Sequence, residues 1–388
     1  MSTFGGKIKE IPGISIDRFD RNNLDSQAYF LSHCHIDHMV GLNTSEFQGI
    51  LKERNCFIYV SHVTKAILKK LYPNIDEQIK ELDFCTPTSV HLNNAVVSVI
   101  PIPSGHCPGS VMFLFEMDQV ILYTGDYRMS LNDIKRIQAL YDSLGKLKTI
   151  HTVYLDTTFF SKKYLQFPSR EESLDEICNL IKQWLDVSEK HIINLQTSAR
   201  YGYEYVFMEI FKRMNMPVHV SNEAYAFYSL IPDMDESVTL ESSKTRIHSC
   251  CSSYYKNICI KNLIGYSTRT VKMSAMRWTT EKLEQGITNN QDETYFVCYA
   301  THASYEEGEE MIKFLKPKEV VPCVLQKDDA EEIFNMIETL LDFNSEPIPK
   351  KPKLFEVSKI RQQIYVQDVS ENGSDDLYES ALESPQMS

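Results

Sequence analysis

The chain has 388 residues, 43% of them hydrophobic and 24% charged, a length that allows about two or three domains. Those fractions are typical of a soluble globular protein, and no apolar run approaches the roughly 20 residues of a membrane helix. The net charge of −13 is unusual for a nucleic-acid binder, although metal-ligand carboxylates and an acidic tail can produce it beside a local basic groove. The N-terminus lacks the apolar core of a signal peptide, so we expect an intracellular protein whose ten cysteines are free thiols or metal ligands.

Short apolar strands separated by turns dominate the sequence up to Asp156. The pattern predicts strands at 57–60, 96–102, 111–115, 120–124 and 153–155, and a helix at 63–71. Beyond Asp156, Ser169 and Glu172 form a capping box that begins a helix predicted over 170–187. A strand at 191–195 and a helix at 203–214 follow, and this alternation indicates an α/β insert.

The C-terminal half is less regular. The polar region 235–285 has no clear pattern, whereas 294–299 and 319–325 are predicted strands and 305–315 and 330–341 predicted helices. After Asn344 a basic, proline-containing cluster at 347–353 precedes an acidic, Ser-rich tail at 369–388, and this composition predicts disorder.

Metal-ligand side chains are concentrated in one short stretch, where His33, His35, Asp37 and His38 fall within six residues. The spacing His-x-His-x-Asp-His directs imidazole nitrogens and a carboxylate oxygen at one small volume, as a zinc-like ion with open coordination positions requires. Further ligand types follow at turn-like strand ends, His106 in Ser104-Gly-His-Cys-Pro-Gly-Ser110 and Asp126 in Tyr123-Thr-Gly-Asp-Tyr-Arg128. The sequence therefore predicts a metal centre.

The order of these motifs resembles that of the metallo-β-lactamase fold, and further motifs narrow the resemblance to the β-CASP nucleases that repair DNA cross-links and double-strand breaks. The motifs that carry it are Ser15-Ile-Asp-Arg-Phe-Asp20, Ser32-His-Cys-His-Ile-Asp-His-Met39, Gly105-His-Cys-Pro-Gly-Ser-Val-Met-Phe-Leu-Phe115, Tyr154-Leu-Asp-Thr-Thr-Phe159 and Tyr201-Gly-Tyr-Glu-Tyr-Val-Phe207. The resemblance implies an α/β fold, namely an αββα metallo-β-lactamase sandwich (1–156 and 294–345) with an inserted α/β β-CASP domain (157–293). A disordered tail (346–388) would follow.

The same resemblance implies roles for individual residues. His33, His35, His106 and Asp126 would hold a first metal, while Asp37 and His38, with Asp126 bridging, would hold a second. Asp17 would orient a ligand histidine, Asp156 matches the β-CASP acidic motif, and His302 would steady the scissile phosphate or the leaving oxygen. Zinc is expected, with magnesium or manganese as alternatives at the second position, and a metal-activated water would attack phosphorus. Candidate phosphate contacts are Arg18, Arg128, Lys162, Lys163 and Arg200, each equally explained as a solvated surface side chain.

A second group of ligand types lies within the insert. His248 and Cys250 share one face of a predicted strand, Cys259 follows after a polar loop, and His219 lies in another strand-like stretch. Four nitrogen and sulfur ligands without a carboxylate would form a closed structural zinc site. Buried thiols, and a place for His248 in the active site, are equally compatible with this pattern.

Three functions fit the resemblance. The first is a DNA nuclease that acts on 5′ ends, hairpins, overhangs and junctions, and the second is an RNA-processing endonuclease with the same fold and metals. The third is an inactive scaffold, which the complete ligand set disfavours. A monomeric nuclear protein is expected, with DNA end-joining kinase or ligase proteins as partners and no membrane. The cluster Pro349-Lys-Lys-Pro-Lys-Leu354 is typical of a nuclear-import signal, although a solvated linker would have the same composition.

Overall fold

A computed structural model describes residues 2–197, 201–250, 259, 265–326 and 328–344, and the strands in that part of the chain form three sheets. The strands are β1 (Ile14–Ile16), β2 (Ala28–Phe30), β3 (Phe57–Val60), β4 (Ile79–Glu81), β5 (Thr88–Leu92), β6 (Ala95–Pro103), β7 (Val111–Glu116), β8 (Val120–Tyr123), β9 (Ile150–Leu155), β10 (His191–Gln196), β11 (Val218–His219), β12 (Val238–Thr239), β13 (Ile247–His248), β14 (Ser267–Ser274), β15 (Thr288–Gln291), β16 (Thr294–Cys298) and β17 (Glu319–Pro322). The helices are α1 (Ser45–Glu53), α2 (His62–Leu71), α3 (Leu131–Lys135), α4 (Arg170–Leu185), α5 (Glu204–Met214), α6 (Asn222–Tyr228), α7 (Thr280–Leu283), α8 (Tyr305–Leu315) and α9 (Ala330–Asn344).

Two of the sheets pack face to face. The four-stranded sheet has the order β1-β2-β3-β4, and the six-stranded sheet has the order β17-β9-β8-β7-β6-β5. Alternate residues of a strand point to opposite faces, so Phe30 reaches the inner core and its ring lies 5.3 Å from Phe113 and 5.2 Å from Phe115. Tyr29, one residue earlier, packs instead with α1 and α2, and Leu114 packs with α8 and α9. The result is the expected αββα sandwich.

The third sheet forms the insert. Its order is β12-β11-β13-β10-β14-β16-β15, parallel except for the edge pair β15 and β16. Helix α4 begins at the predicted capping box of Ser169 and Glu172 and buries its apolar face against this sheet. Strand β14 was missed in the sequence because only Val271 and Met273 are fully buried. Its polar Arg269 instead lies over the rings of Trp184 and Tyr295, at 4.6 and 4.5 Å.

Two sequence-based boundaries need correction. Strand β16, assigned to the C-terminal part of the sandwich domain that begins at 294, pairs with β14 and β15, so the sheet of the insert extends to Cys298. The strand expected over 319–325 ends at Pro322, because the chain then leaves the sheet and the Leu325 N–H donates to the Thr3 hydroxyl.

The three sheets belong to one compact unit that ends at Asn344. In the described ranges, no helix has the length and apolar character needed to cross a bilayer. The tail (346–388), its basic cluster at 349–354 and Arg200 lie outside the described residues.

Candidate metal centre

Three of the ligand-type side chains lie just beyond the carboxyl ends of strands. His33 follows β2, His106 follows β6 and Asp126 follows β8, and β6 and β8 are parallel because both are antiparallel to β7. Gly105 makes the turn before His106 with φ of +72°, where an added Cβ would come within 2.6 Å of the Arg128 carbonyl oxygen. A side chain at position 105 would therefore displace the turn that carries His106.

Four ligand atoms, from His33, His35, His106 and Asp126, lie within 4.8 Å of one another. Oδ2 of Asp126 is 3.5 Å from His33 Nε2 and 3.6 Å from His106 Nε2, and His35 Nδ1 is 3.1 Å from His106 Nε2. Ligand atoms bonded tetrahedrally to zinc at roughly 2.0–2.1 Å are themselves separated by about 3.3 Å. The group therefore has the size of a zinc coordination shell.

The ring nitrogens that face away from this group each have a polar partner. The pairs are His33 Nδ1 with the Ser32 hydroxyl (2.9 Å), His35 Nε2 with the Tyr201 carbonyl (3.3 Å), His38 Nδ1 with Asp17 (2.9 Å) and His106 Nδ1 with the Thr301 carbonyl (2.9 Å). A carbonyl or carboxylate on one nitrogen fixes the tautomer, leaving the lone pair of the other nitrogen free for a metal.

Burial and protonation also fit a metal site. Nε2 of His33 and Nε2 of His38 are buried with no hydrogen-bond partner, a costly state that a bound cation would relieve. Burial, followed by the neighbouring His33, lowers the pKa of His35 to about 3, and burial also lowers the pKa of His106. Burial alone would raise the pKa of Asp126, but His38 and His302 hold it well below its usual value. Neutral imidazoles and an ionised carboxylate are the forms that bind zinc.

Asp37 and His38 lie on the other side of Asp126. His38 Nε2 is 3.3 Å from Asp126 Oδ1 and 3.8 Å from Asp37 Oδ2. Asp126 therefore directs Oδ2 toward His33 and His106, and Oδ1 toward His38. The Asp37 side chain is 28% exposed against 8% for Asp126, so the cluster is more open on the side of Asp37.

Asp156 and His302 meet on the insert side of the same cluster. Asp156 follows β9 directly and accepts from Thr158, and its Oδ2 lies 2.9 Å from His302 Nδ1. His302 Nε2 is 3.9 Å from Asp126 Oδ2. Burial would lower the pKa of His302, but the carboxylates of Asp156 and Asp126 outweigh it and raise that pKa to about 9.

Asp17 lies behind His38, where the sequence predicted an orienting carboxylate. Its oxygens accept from the Ser32 N–H at 2.7 Å, the Ser32 hydroxyl at 2.6 Å and the Tyr123 hydroxyl at 2.8 Å, in addition to His38. The carboxylate is thus surrounded by donors and holds the ring of His38 from the side remote from Asp126.

The predicted phosphate contacts have different environments. Lys162 and Lys163 are exposed, and Arg18 is paired with Asp20 at 2.7 Å. The expectation for Arg128 is wrong, because its guanidinium is buried and donates to two backbone carbonyls, those of Ala300 and Pro168, at 2.7 Å each. It joins segments of the chain and is not available to a phosphate.

The four residues of the second predicted zinc site also come together. Ligand atoms of His219, His248, Cys250 and Cys259 lie within 4.8 Å of one another. His219 and His248 are paired across β11 and β13, and the Cys259 sulfur is 3.5 Å from Nδ1 of each. Burial, followed by the neighbouring His219, lowers the pKa of His248 to about 4, which keeps its ring neutral and able to bind a metal.

Several residues at the centre were not predicted from the sequence. The Tyr201 and Thr301 carbonyls hold ligand histidines, Arg170 donates to the Gly105 carbonyl beside His106, and the Ser2 N–H donates to Asp37. Three of these four contacts use a main-chain group of the newly identified residue. Such contacts leave no residue-type signal, because any residue except proline carries the same backbone donor and acceptor.

The chain is similar in sequence to known DNA repair proteins. A family model described as DNA repair metallo-beta-lactamase matches residues 221–328. The chain is 33% identical over 408 residues to the protein Artemis of Mus musculus, which covers 99% of this chain and 57% of that protein. The Artemis protein of Homo sapiens is 33% identical over 407 residues (99% and 58%). The DNA cross-link repair 1A protein of Mus musculus is 27% identical over 336 residues (81% and 30%).

A sandwich of this kind, with an α/β insert and histidines and aspartates gathered at one edge, has the arrangement of the metallo-β-lactamase fold with a β-CASP insert. Residues 221–328 match the family described as DNA repair metallo-beta-lactamase, and the chain is similar to Artemis along almost its whole length. It spans little more than half the length of the Artemis proteins that it matches.

Proposed function

We propose that the chain is a metal-dependent nuclease that hydrolyses phosphodiester bonds of DNA in double-strand break or cross-link repair. The observation that carries this proposal is the completeness of the centre, in which the ligand imidazoles are oriented by polar partners and Asp126 directs its two oxygens toward separate positions. The family described as DNA repair metallo-beta-lactamase supports DNA as the substrate.

The donor sets suit different ions at the two positions. His33, His35, His106 and Asp126 suit zinc, whereas Asp37, His38 and the second oxygen of Asp126 suit a second zinc or a harder ion such as manganese or magnesium. Such ions, when bound, lower the pKa of a water toward neutrality and stabilise negative charge on phosphoryl oxygens.

The chain's own residues position the phosphate. His302 directs Nε2 toward Asp126 and is held on its other nitrogen by Asp156, which suits donation to a phosphoryl or leaving oxygen. Lys162 and Lys163 are exposed on a short 3-10 helix that follows the Asp156 segment. We assign them the phosphate contacts that guide the strand toward the centre.

The proposed substrates are DNA 5′ ends, hairpins, overhangs and single-to-double-strand junctions. A chain with net charge −13 has few cations for duplex binding, so binding depends on a small number of phosphate contacts and on the geometry of a strand end. Cleavage should therefore be selective for structure and tolerant of sequence, with a shallow salt dependence.

Substitution of two carboxylates at the centre tests the activity. Asp126→Asn and Asp37→Asn should each abolish cleavage of a hairpin DNA while leaving the far-ultraviolet circular dichroism unchanged. Asp118→Asn, in an exposed turn between β7 and β8, is the matched control and should cleave like the wild type. Near wild-type cleavage by either centre variant at matched purity would contradict the assignment.

Structural and cellular features complete the proposal. His219, His248, Cys250 and Cys259 are proposed to hold a structural zinc, and the insert to span residues 157–298. A monomeric nuclear enzyme is proposed, in contact with end-joining kinase or ligase proteins. Replacing Lys350, Lys351 and Lys353 by Ala should abolish nuclear accumulation of a fluorescent fusion, and accumulation that survives would show that import depends on another segment.

A further inference from the structure

The side chain of Asp37 is hydrogen-bonded by a residue far away in sequence. The Ser2 N–H donates to Asp37 Oδ2 at 2.8 Å, the same oxygen that lies 3.8 Å from His38 Nε2. Among the described residues, this amide is the hydrogen-bond donor to the Asp37 carboxylate, whereas Asp17 accepts from several groups. Asp37 is also the most exposed of the ligand-type carboxylates at the centre, at 28% against 8% for Asp126.

The segment that carries this amide is fixed to the sandwich. We call Ser2–Phe4 the strap. The Thr3 N–H donates to the Cys323 carbonyl at 3.0 Å, and the Leu325 N–H donates to the Thr3 hydroxyl at 2.9 Å. The Phe4 ring packs at 5.3 Å from Tyr123 and 5.4 Å from Tyr154. The Ser2 amide is therefore held in position independently of Asp37.

We propose that the strap is a positioning element of the metal centre, in which the Ser2 N–H holds the Asp37 carboxylate in the orientation that binds the second divalent cation. This inference rests on the proposed function, because it assigns Asp37 to the second position. A partner that orients a ligand typically contributes about 10–100-fold to metal affinity or activity.

A backbone donor makes a specific prediction about residue type. Ser2→Ala keeps the N–H and should leave the centre unchanged, whereas Ser2→Pro removes the N–H and should release the carboxylate. Phe4→Ala should have an intermediate effect, because it loosens the strap without removing the donor. Neither Ser2 nor Phe4 contacts the reacting atoms, so each acts through Asp37.

The test measures metal binding directly. All variants carry the same Gly-Ser extension ahead of residue 1, so that residue 2 stays within a peptide bond, and Mn²⁺ is titrated into metal-free protein while free Mn²⁺ is followed by electron paramagnetic resonance. The weaker of the two dissociation constants should rise about 10-fold or more in Ser2→Pro, and remain within twofold of wild type in Ser2→Ala. The tighter constant and the melting temperature should be unchanged in both variants.

Asp37→Asn distinguishes a failure of the strap proposal from a failure of the metal assignment of Asp37. If Asp37→Asn weakens the second Mn²⁺ site and Ser2→Pro does not, the strap proposal is overturned while the metal assignment stands. If Asp37→Asn itself leaves both dissociation constants and DNA cleavage unchanged, the assignment of Asp37 fails and the strap has no role. Equal weakening by Ser2→Pro and Ser2→Ala would also overturn the proposal, because the N–H would then not be the cause.

Discussion

Replacement of Asp17 by Asn tests how far the centre depends on residues behind the ligands. Asp17 has a φ of 54°, a conformation that Asn tolerates, so Asp17→Asn should not strain the backbone. Its Oδ1 accepts the Ser32 N–H, and its Oδ2 accepts two hydroxyls and His38 Nδ1. In the variant, an amide nitrogen replaces one of these acceptors.

The two hydroxyls can turn and accept from the new amide group, but His38 cannot. Nδ1 of His38 either loses its acceptor or takes up the other tautomer, in which Nε2 carries the proton and cannot bind a metal. Loss of one hydrogen bond to a carboxylate costs about 1.5–3 kcal/mol, and loss of an orienting partner costs about 10–100-fold in metal affinity. These magnitudes agree, because a factor of ten is about 1.4 kcal/mol.

The assay combines Mn²⁺ titration, hairpin cleavage and urea unfolding. We expect Asp17→Asn to weaken the site that contains His38 about 10–100-fold and to slow cleavage at least as much. The control is Asp20→Asn, which removes the surface partner of Arg18 and should leave metal affinity unchanged. A variant that unfolds more readily yet keeps wild-type metal affinity would refute the reasoning and make Asp17 a purely structural residue.

Three further predictions concern other parts of the chain. Burial raises the pKa of Glu204 to about 7, so the folded state retains a proton that the unfolded state loses, and wild-type stability falls as the pH rises from about 4.5 through 7. The free energy of unfolding of Glu204→Gln, measured in urea, should therefore increase relative to that of wild type by up to about 3 kcal/mol between pH 5 and pH 8. A difference that does not change with pH would exclude this titration. Cys250→Ala should remove about one zinc per chain and lower the melting temperature. The control Cys178→Ala, at a buried thiol of α4, should keep its zinc. Unchanged zinc content in Cys250→Ala would contradict the structural site. Arg128→Ala should destabilise the fold by about 2 kcal/mol or more, because it removes the donor to one buried and one partly buried carbonyl. It should not change the salt dependence of DNA binding, whereas Lys163→Ala should reduce that salt dependence and leave stability unchanged; the reverse result would restore Arg128 as a phosphate contact.

The parts of the molecule that sequence predicts best are those with local causes. The stretch from His33 to His38 places four ligand-type side chains within six residues, and the capping box at Ser169 begins α4 as expected. Strands β6, β7 and β8 were likewise predictable, because they are short apolar runs bounded by turns, whereas the αββα arrangement was expected from the resemblance. In each case the residues that determine the structure are neighbours in the chain.

Long-range contacts explain what sequence could not predict. Strand β14 is polar, and its place in the middle of a sheet depends on Trp184 and Tyr295 from other elements. Arg128 has the residue type of a phosphate ligand, but the two carbonyls that accept its hydrogen bonds lie 40 and 172 residues away in the sequence. The same holds for the Ser2 amide on Asp37, since neither its distance in sequence nor its residue type indicates the contact.

The central claim, metal-dependent cleavage of DNA at particular structures, is tested most directly with matched substrates. Purified protein is incubated with a 5′-phosphorylated single strand, a hairpin, an internal duplex and an RNA of the same sequence, before and after treatment with a chelator and after addition of zinc or manganese. We predict cleavage of the single strand and the hairpin, little cleavage of internal duplex or RNA, complete loss with chelator and recovery with added metal. Cleavage that persists in chelator, or RNA cut faster than DNA, would contradict the account.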